Sequence, residues 1–193
     1  MKVIFLDFDG VITIPPKWFF RAELIKNVKK IVEATEAKIV VSSSWRSETI
    51  DKTKSIIIDR KRRCPRNSML FWLVDNFYDV LHTYRGNRGQ EIKDWLDTHD
   101  NIDNYVIIDD DNDFLDEQLY HFVQTNYEDG LTEVETKRAI KVLNKQFFQN
   151  SIALNFKLRY EHLKRCEGLD NKCEELQKYN DLCKDIKNSY EKI

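Results

Sequence analysis

The chain has 193 residues, 41% of them hydrophobic and 33% charged, with a formal net charge of -2. That length suits one domain with a good core plus an appendage. The near-neutral balance argues against a protein that coats nucleic acid through overall charge, though it leaves room for a local basic groove, and no apolar run approaches the roughly 20 residues that span a bilayer.

An apolar strand is expected from Lys2 to Asp7, which leaves no room for a secretory leader and suggests a cytoplasmic protein. It ends in Asp7-Phe8-Asp9-Gly10. Two carboxylates at the end of a buried strand cost several kcal/mol unless something compensates them. A divalent cation is the natural candidate. Alternation would turn Asp7 and Asp9 to the same side, and Gly10 permits a sharp turn. Pro15-Pro16 then breaks the chain, and a helix is expected from near Trp18, with Phe20, Leu24, Val28 and Ile31 at helical spacing. Ala37–Val41 reads as a second buried strand, running into Ser42-Ser43-Ser44.

A polar helix over Ser47–Arg60 leads into the basic run Arg60-Lys61-Arg62-Arg63 and Pro65. Met69–Leu81 reads as one buried helix. Gly86 and Gly89 bracket a turn before a helix over Glu91–Thr98 that turns Ile92, Trp95 and Leu96 to one face. Tyr105–Ile108 is a third strand, ending in Asp109-Asp110-Asp111, and His121–Thr125 a fourth. Thr132-x-x-Glu135 is a capping box opening a helix to about Phe148.

The last 45 or so residues differ in pattern. Ile152, Leu154, Phe156, Leu158 and Tyr160 alternate as in a strand, although their flanks favour helix. Leu169, Leu176, Cys183 and Tyr190 recur at every seventh position, with Tyr179, Ile186 and Ile193 in the second heptad place. This amphipathic helix either packs on its own domain or joins two copies into a homo-oligomer. The four cysteines, Cys64, Cys166, Cys173 and Cys183, show no Cys-x-x-Cys spacing, so reduced thiols are expected rather than zinc or disulfides.

Strands alternating with helices imply an α/β fold with a doubly wound, mostly parallel sheet. In such a sheet all strand ends of one polarity share an edge. The Asp7/Asp9, Ser42–Ser44 and Asp109/Asp110 clusters therefore converge. A hard cation such as Mg²⁺ takes oxygen ligands, and Asp7 with one of the Asp109/Asp110 pair would hold it. No Ser-His-Asp or Cys-His arrangement, phosphate loop or dinucleotide fingerprint competes. The nucleophile is then a carboxylate or a metal-bound water. Of Asp7 and Asp9, one attacks phosphorus and the other shuttles the proton. Serine hydroxyls and backbone N–H groups after the second strand suit phosphoryl oxygens. Arg88 is the best placed cation, with Lys93 second.

Phe5-Leu6-Asp7-Phe8-Asp9-Gly10-Val11 resembles the first motif of the haloacid dehalogenase-like (HAD) phosphohydrolases. Val40-Val41-Ser42-Ser43-Ser44-Trp45-Arg46 is similar to their second motif and Val106–Asp110 to their fourth. Arg88, in Arg88-Gly89-Gln90-Glu91-Ile92, stands where most members carry a helix-start Lys. Ser-Ser-Trp-Arg, Arg-Gly-x-Glu-Ile-x-x-Trp-Leu and Gly130-Leu131-Thr132 resemble, more narrowly, the small HAD domain of Swiss Army Knife RNA-repair proteins. The resemblance covers residues 1–147. It implies Asp7 as the nucleophile forming an aspartyl-phosphate and Asp9 as general acid and base. It implies Mg²⁺ held by Asp7, the Asp9 backbone carbonyl and Asp110, with Asp109 near and Asp113 as an outer oxygen. Ser43, Ser44, Arg88 and Gly10 form the expected phosphate-binding set, with Ser43 favoured among the serines. Arg in place of Lys keeps the charge but brings a wider fork.

Trp45 and Trp95 read as packing residues. Arg46 is open between a phosphate ligand and the partner of an acidic neighbour. The stretch from Gly10 to the first helix is too short for a large cap, and residues 47–87 form at most a small helical insertion. The core is thus 1–147 with a minimal cap, followed by an extension over 148–193. An open site of this kind suits a phosphorylated substrate such as a nucleotide, a nucleic-acid end or a small phosphoester, with no membrane partner. The basic run at residues 60–66 reads as a solvated loop or, alternatively, a track for a phosphate backbone. The competing functional reading is a non-catalytic phosphate-binding or oligomerisation module on the same fold.

Overall fold

The structure is a computed structural model that describes residues 1–59, 68–82 and 87–145. The basic run, the four cysteines and the expected extension over 148–193 lie outside the described residues.

Five parallel strands form the sheet in the order β5-β4-β1-β6-β7. They are β1 (Lys2–Leu6), β4 (Lys38–Val41), β5 (Phe77–Val80), β6 (Asn104–Asp109) and β7 (Phe122–Gln124). A small hairpin of β2 (Thr13–Ile14) and β3 (Phe19–Phe20) follows β1. The helices are α1 (Ala22–Thr35), α2 (Ile50–Asp59), α3 (Ser68–Asp75), α4 (Arg88–Asp97) and α5 (Glu133–Leu143).

β1 is apolar on both faces because both are covered, as parallel sheets require. Ile4 and Leu6, with Ile39, Val41, Val106 and Ile108, pack under α1, α3 and α5. Val3 and Phe5, with Val40 and Ile107, meet Ile92 and Trp95 of α4. The fold is therefore HAD/Rossmann-like and doubly wound. β1 lies between β4 and β6, so the chain order reverses beside it, and open α/β sheets bind ligands at the carboxyl ends of such strands.

Several elements differ from the sequence expectation. Met69–Leu81 is not one helix: α3 stops at Asp75, and Phe77–Val80 is the edge strand beside β4. Phe77 and Val80 are buried while Tyr78 is exposed, the pattern of a half-covered strand. The segment 47–87, expected as a helical insertion, thus supplies an edge strand of the sheet as well as α2 and α3. α1 begins at Ala22 rather than near Trp18, because Phe19 and Phe20 pair with Ile14 and Thr13. α4 begins at Arg88, capped by the Asn87 side chain, which accepts from the Gln90 N–H at 2.8 Å. Gly89 is therefore helical, and a Cβ there would lie 2.7 Å from the Leu115 backbone nitrogen. α5 is opened by the Thr132/Glu135 capping box as read, but ends at Leu143. Among the described residues no helix is long and apolar enough to cross a membrane.

Candidate active site

β1 ends at Leu6, so Asp7 emerges at its carboxyl end, buried to 6% exposure. Its N–H still donates to the Ile108 carbonyl at 3.1 Å, which keeps it in line with the sheet. β6 delivers Asp109 to the same edge, 2% exposed, and Asp110 follows it. Oxygens of Asp7, Asp109 and Asp110 all lie within 4.8 Å of one another.

Arg88 opens α4 and reaches back over this cluster. One guanidinium nitrogen lies 3.1 Å from Asp7 Oδ1 and 3.1 Å from Asp109 Oδ2. Lys93, a turn further along, pairs instead with Asp97 at 3.4 Å and with Glu117 at 3.9 Å. Asp113 accepts the Arg88 backbone N–H at 3.1 Å, so its carboxylate serves the start of α4.

One guanidinium does not neutralise three carboxyl groups. Burial pushes Asp7 up to about 6 despite Arg88. Burial and then the Asp7 charge push Asp109 higher, to about 8. Burial also raises Asp110. Burial works against the Arg88 charge, but Asp7 and Asp109 outweigh it and hold the guanidinium above its ordinary value. A site this short of positive charge, with only oxygen donors, fits a hard divalent cation.

The two motif aspartates part after β1. The Phe8 carbonyl accepts the N–H groups of Val11, Ile12 and Thr13, which curls the chain into a turn. Phe8 points into the core against Phe20, Trp45 and Phe77. The Asp9 carboxylate is held by two donors. Thr13 donates its hydroxyl to Oδ1 at 2.6 Å, and Trp45 donates its indole N–H to Oδ2 at 2.8 Å. The Asp9 side chain is thus outside the acidic cluster, and only its backbone carbonyl remains as the expected metal ligand. Thr13 and the polar end of Trp45 are partners that sequence reasoning missed. Trp45 does pack, against Phe8 and Phe20.

Gly10 has φ +67, and a Cβ there would lie 2.3 Å from the Asp110 Cγ. Only glycine lets the turn pass beneath that carboxyl group. Its N–H donates to the Thr13 carbonyl at 2.8 Å. The loop after β7 closes this side: the Thr125 N–H donates to the Asp109 carbonyl at 2.9 Å and its hydroxyl to the Gly10 carbonyl at 2.8 Å.

The serine turn lies on the other flank. Ser42 follows Val41, the register partner of Leu6, and so stands beside Asp7. Its buried hydroxyl has no hydrogen-bond partner among the described residues, whereas Ser43 Oγ accepts the Trp45 N–H at 3.3 Å and Ser44 is exposed. The orphan thus falls on Ser42, at the strand end, rather than on the favoured Ser43. Arg46 proves to be an ion-pair residue. Its guanidinium lies 2.5 Å from Glu91 and donates to the carbonyls of Ser42, Ser43 and Leu81.

The chain matches, over residues 3–136, the family described as the HAD domain in Swiss Army Knife RNA repair proteins. It belongs to that family. The match runs from β1 into α5 and takes in every carboxylate, serine and arginine of the edge just described. No curated protein matches the chain. A HAD domain points to a phosphatase-type hydrolase superfamily whose members generally use Mg²⁺, and Asp7, Asp109 and Asp110 form an acidic cluster in this chain.

Proposed function

We propose that the protein is a Mg²⁺-dependent phosphomonoester hydrolase that works through an aspartyl-phosphate on Asp7, with a nucleotide or nucleic-acid terminal phosphate as substrate. The carrying observation is Arg88 bridging Asp7 and Asp109 at 3.1 Å each beside Asp110. Asp7, the Asp9 carbonyl and Asp110, with Asp109 near, would hold Mg²⁺, which would supply the positive charge that lets an anionic phosphate approach.

The chain does the rest. An Asp7 oxygen attacks phosphorus and the phosphorus–oxygen bond to the leaving alcohol breaks. Asp9, oriented by Thr13 and Trp45, gives that oxygen its proton. Water then attacks the phosphorus of the acyl phosphate. Asp9 takes the water's proton, phosphate leaves and Asp7 is regenerated. Arg88 holds phosphoryl oxygens as charge develops on them, and the Ser42–Ser44 turn offers hydroxyl donors, that of Ser42 being buried without a hydrogen-bond partner among the described residues.

The substrate class rests on two things: the repair context in the family's description and the absence, among the described residues, of any cap beyond the β2–β3 hairpin. A phosphatase screen with Mg²⁺ tests it. Oligonucleotides with 3′- or 5′-terminal phosphates are expected to turn over faster than sugar phosphates. Rapid turnover of a sugar phosphate with inert oligonucleotides would refute it.

A further inference from the structure

The turn of the β2–β3 hairpin carries Trp18, whose backbone sits at φ 49. A bulky residue in the left-handed region is strained and persists only where its surroundings hold it. Two contacts hold it here. The Trp18 N–H donates to the Ile14 carbonyl at 3.1 Å, and its ring meets Tyr127 with centroids 5.1 Å apart and planes at 68°. Tyr127 is 50% exposed and Trp18 is half-buried. The rings meet edge to face, and Tyr127 keeps half of its surface open to solvent.

This aromatic pair is anchored to the carboxylate edge from both sides. Tyr127 is two residues from Thr125, which bonds Asp109 and Gly10, so it lies within about 7 Å of Thr125 along the chain. Asn126 fixes the turn, its side-chain oxygen accepting the Glu128 N–H at 2.8 Å and its carbonyl the Gly130 N–H at 2.7 Å. The hairpin under Trp18 starts at Thr13, the residue that holds Asp9. Lys17, the residue before Trp18 in the chain, is exposed.

We propose that Trp18 and Tyr127 form an aromatic corner that stacks the base of the nucleotide whose terminal phosphate enters the carboxylate edge. Every base has a π-face, so such a platform favours nucleic-acid ends over sugar phosphates without reading sequence. The inference rests on the hydrolase reading for where the phosphate goes, but base binding can be measured without turnover.

The experiment compares two oligonucleotides, each tested with a 3′- or a 5′-terminal phosphate, identical except that one has an abasic terminal nucleotide. Binding is measured to the Asp7→Asn protein and kcat/KM to the wild type. The base-bearing end is expected to be preferred about tenfold or more, the usual scale for losing one stacked base. Tyr127→Ala should bring that ratio close to one, and Tyr127→Phe should restore it. A ratio near one in the unsubstituted protein, or a Tyr127→Ala variant that weakens both ligands equally, would overturn the platform. A strong base preference in binding with no hydrolysis of either end would leave the platform standing and refute the hydrolase reading.

Discussion

At the scale of single residues, the site depends on where two aspartates go after β1. Asp7 stays in the sheet and joins Asp109 and Asp110, while Asp9 turns to Thr13 and Trp45. Gly10 is the pivot. In Gly10→Ala the left-handed φ alone costs about 1–2 kcal/mol, and the new methyl must displace the Asp110 carboxyl group. The expected result is a lowered melting temperature together with a raised Mg²⁺ requirement, read by titrating Mg²⁺ in a phosphatase assay. An unchanged Mg²⁺ response would show that Asp110 does not hold the ion.

At the scale of elements, Arg46 and Glu91 fasten the ends of β4 and β5 to α4, and α4 carries Arg88. Arg46 has 4% and Glu91 5% side-chain exposure, and a buried pair broken from one side loses about 3–5 kcal/mol. Arg46→Ala should lose that much in urea denaturation; a loss below about 1 kcal/mol, the scale of an exposed pair, would contradict the reading. From sequence Arg46 was open between a phosphate ligand and the partner of an acidic residue, but Glu91 could not be named as that residue, since 45 positions separate them. β1, β4 and β6 were legible because an apolar run that stops abruptly at Asp or Ser marks a buried strand reaching the ligand edge of an α/β sheet. β5 was not: Met69–Val74 runs into Phe77–Val80 with no Gly or Pro between, and only Asn76, whose side chain bonds back to the Trp72 carbonyl, marks the break. The convergence of carboxylates was legible from parallel order alone. The donors on Asp9 were not, because Thr13 reaches it only through the turn and Trp45 from 36 residues away.

At the scale of the molecule, the carboxylate edge sets how stability depends on pH. Asp7 and Asp109 rise from 3.8 to about 6 and about 8 on folding. Between pH 4 and 8 the folded state therefore holds more protons than the unfolded one, and stability falls as pH rises through those values. Metal-free protein should melt at a lower temperature at pH 8 than at pH 5. Mg²⁺ should raise the melting temperature more at pH 8, where the ligands are ionised; a larger effect at pH 5 would contradict this. The carboxylate edge short of positive charge, the Arg88 bridge and the family are what support the proposal that Asp7 is the nucleophile. The direct test is to quench the Mg²⁺-loaded protein during turnover of a phosphorylated oligonucleotide, reduce with borohydride, and sequence the N-terminal peptide by mass spectrometry. Homoserine at position 7, absent without substrate and absent in Asp7→Asn, is the expected result. Full turnover by Asp7→Asn, or homoserine at position 9 alone, would contradict it.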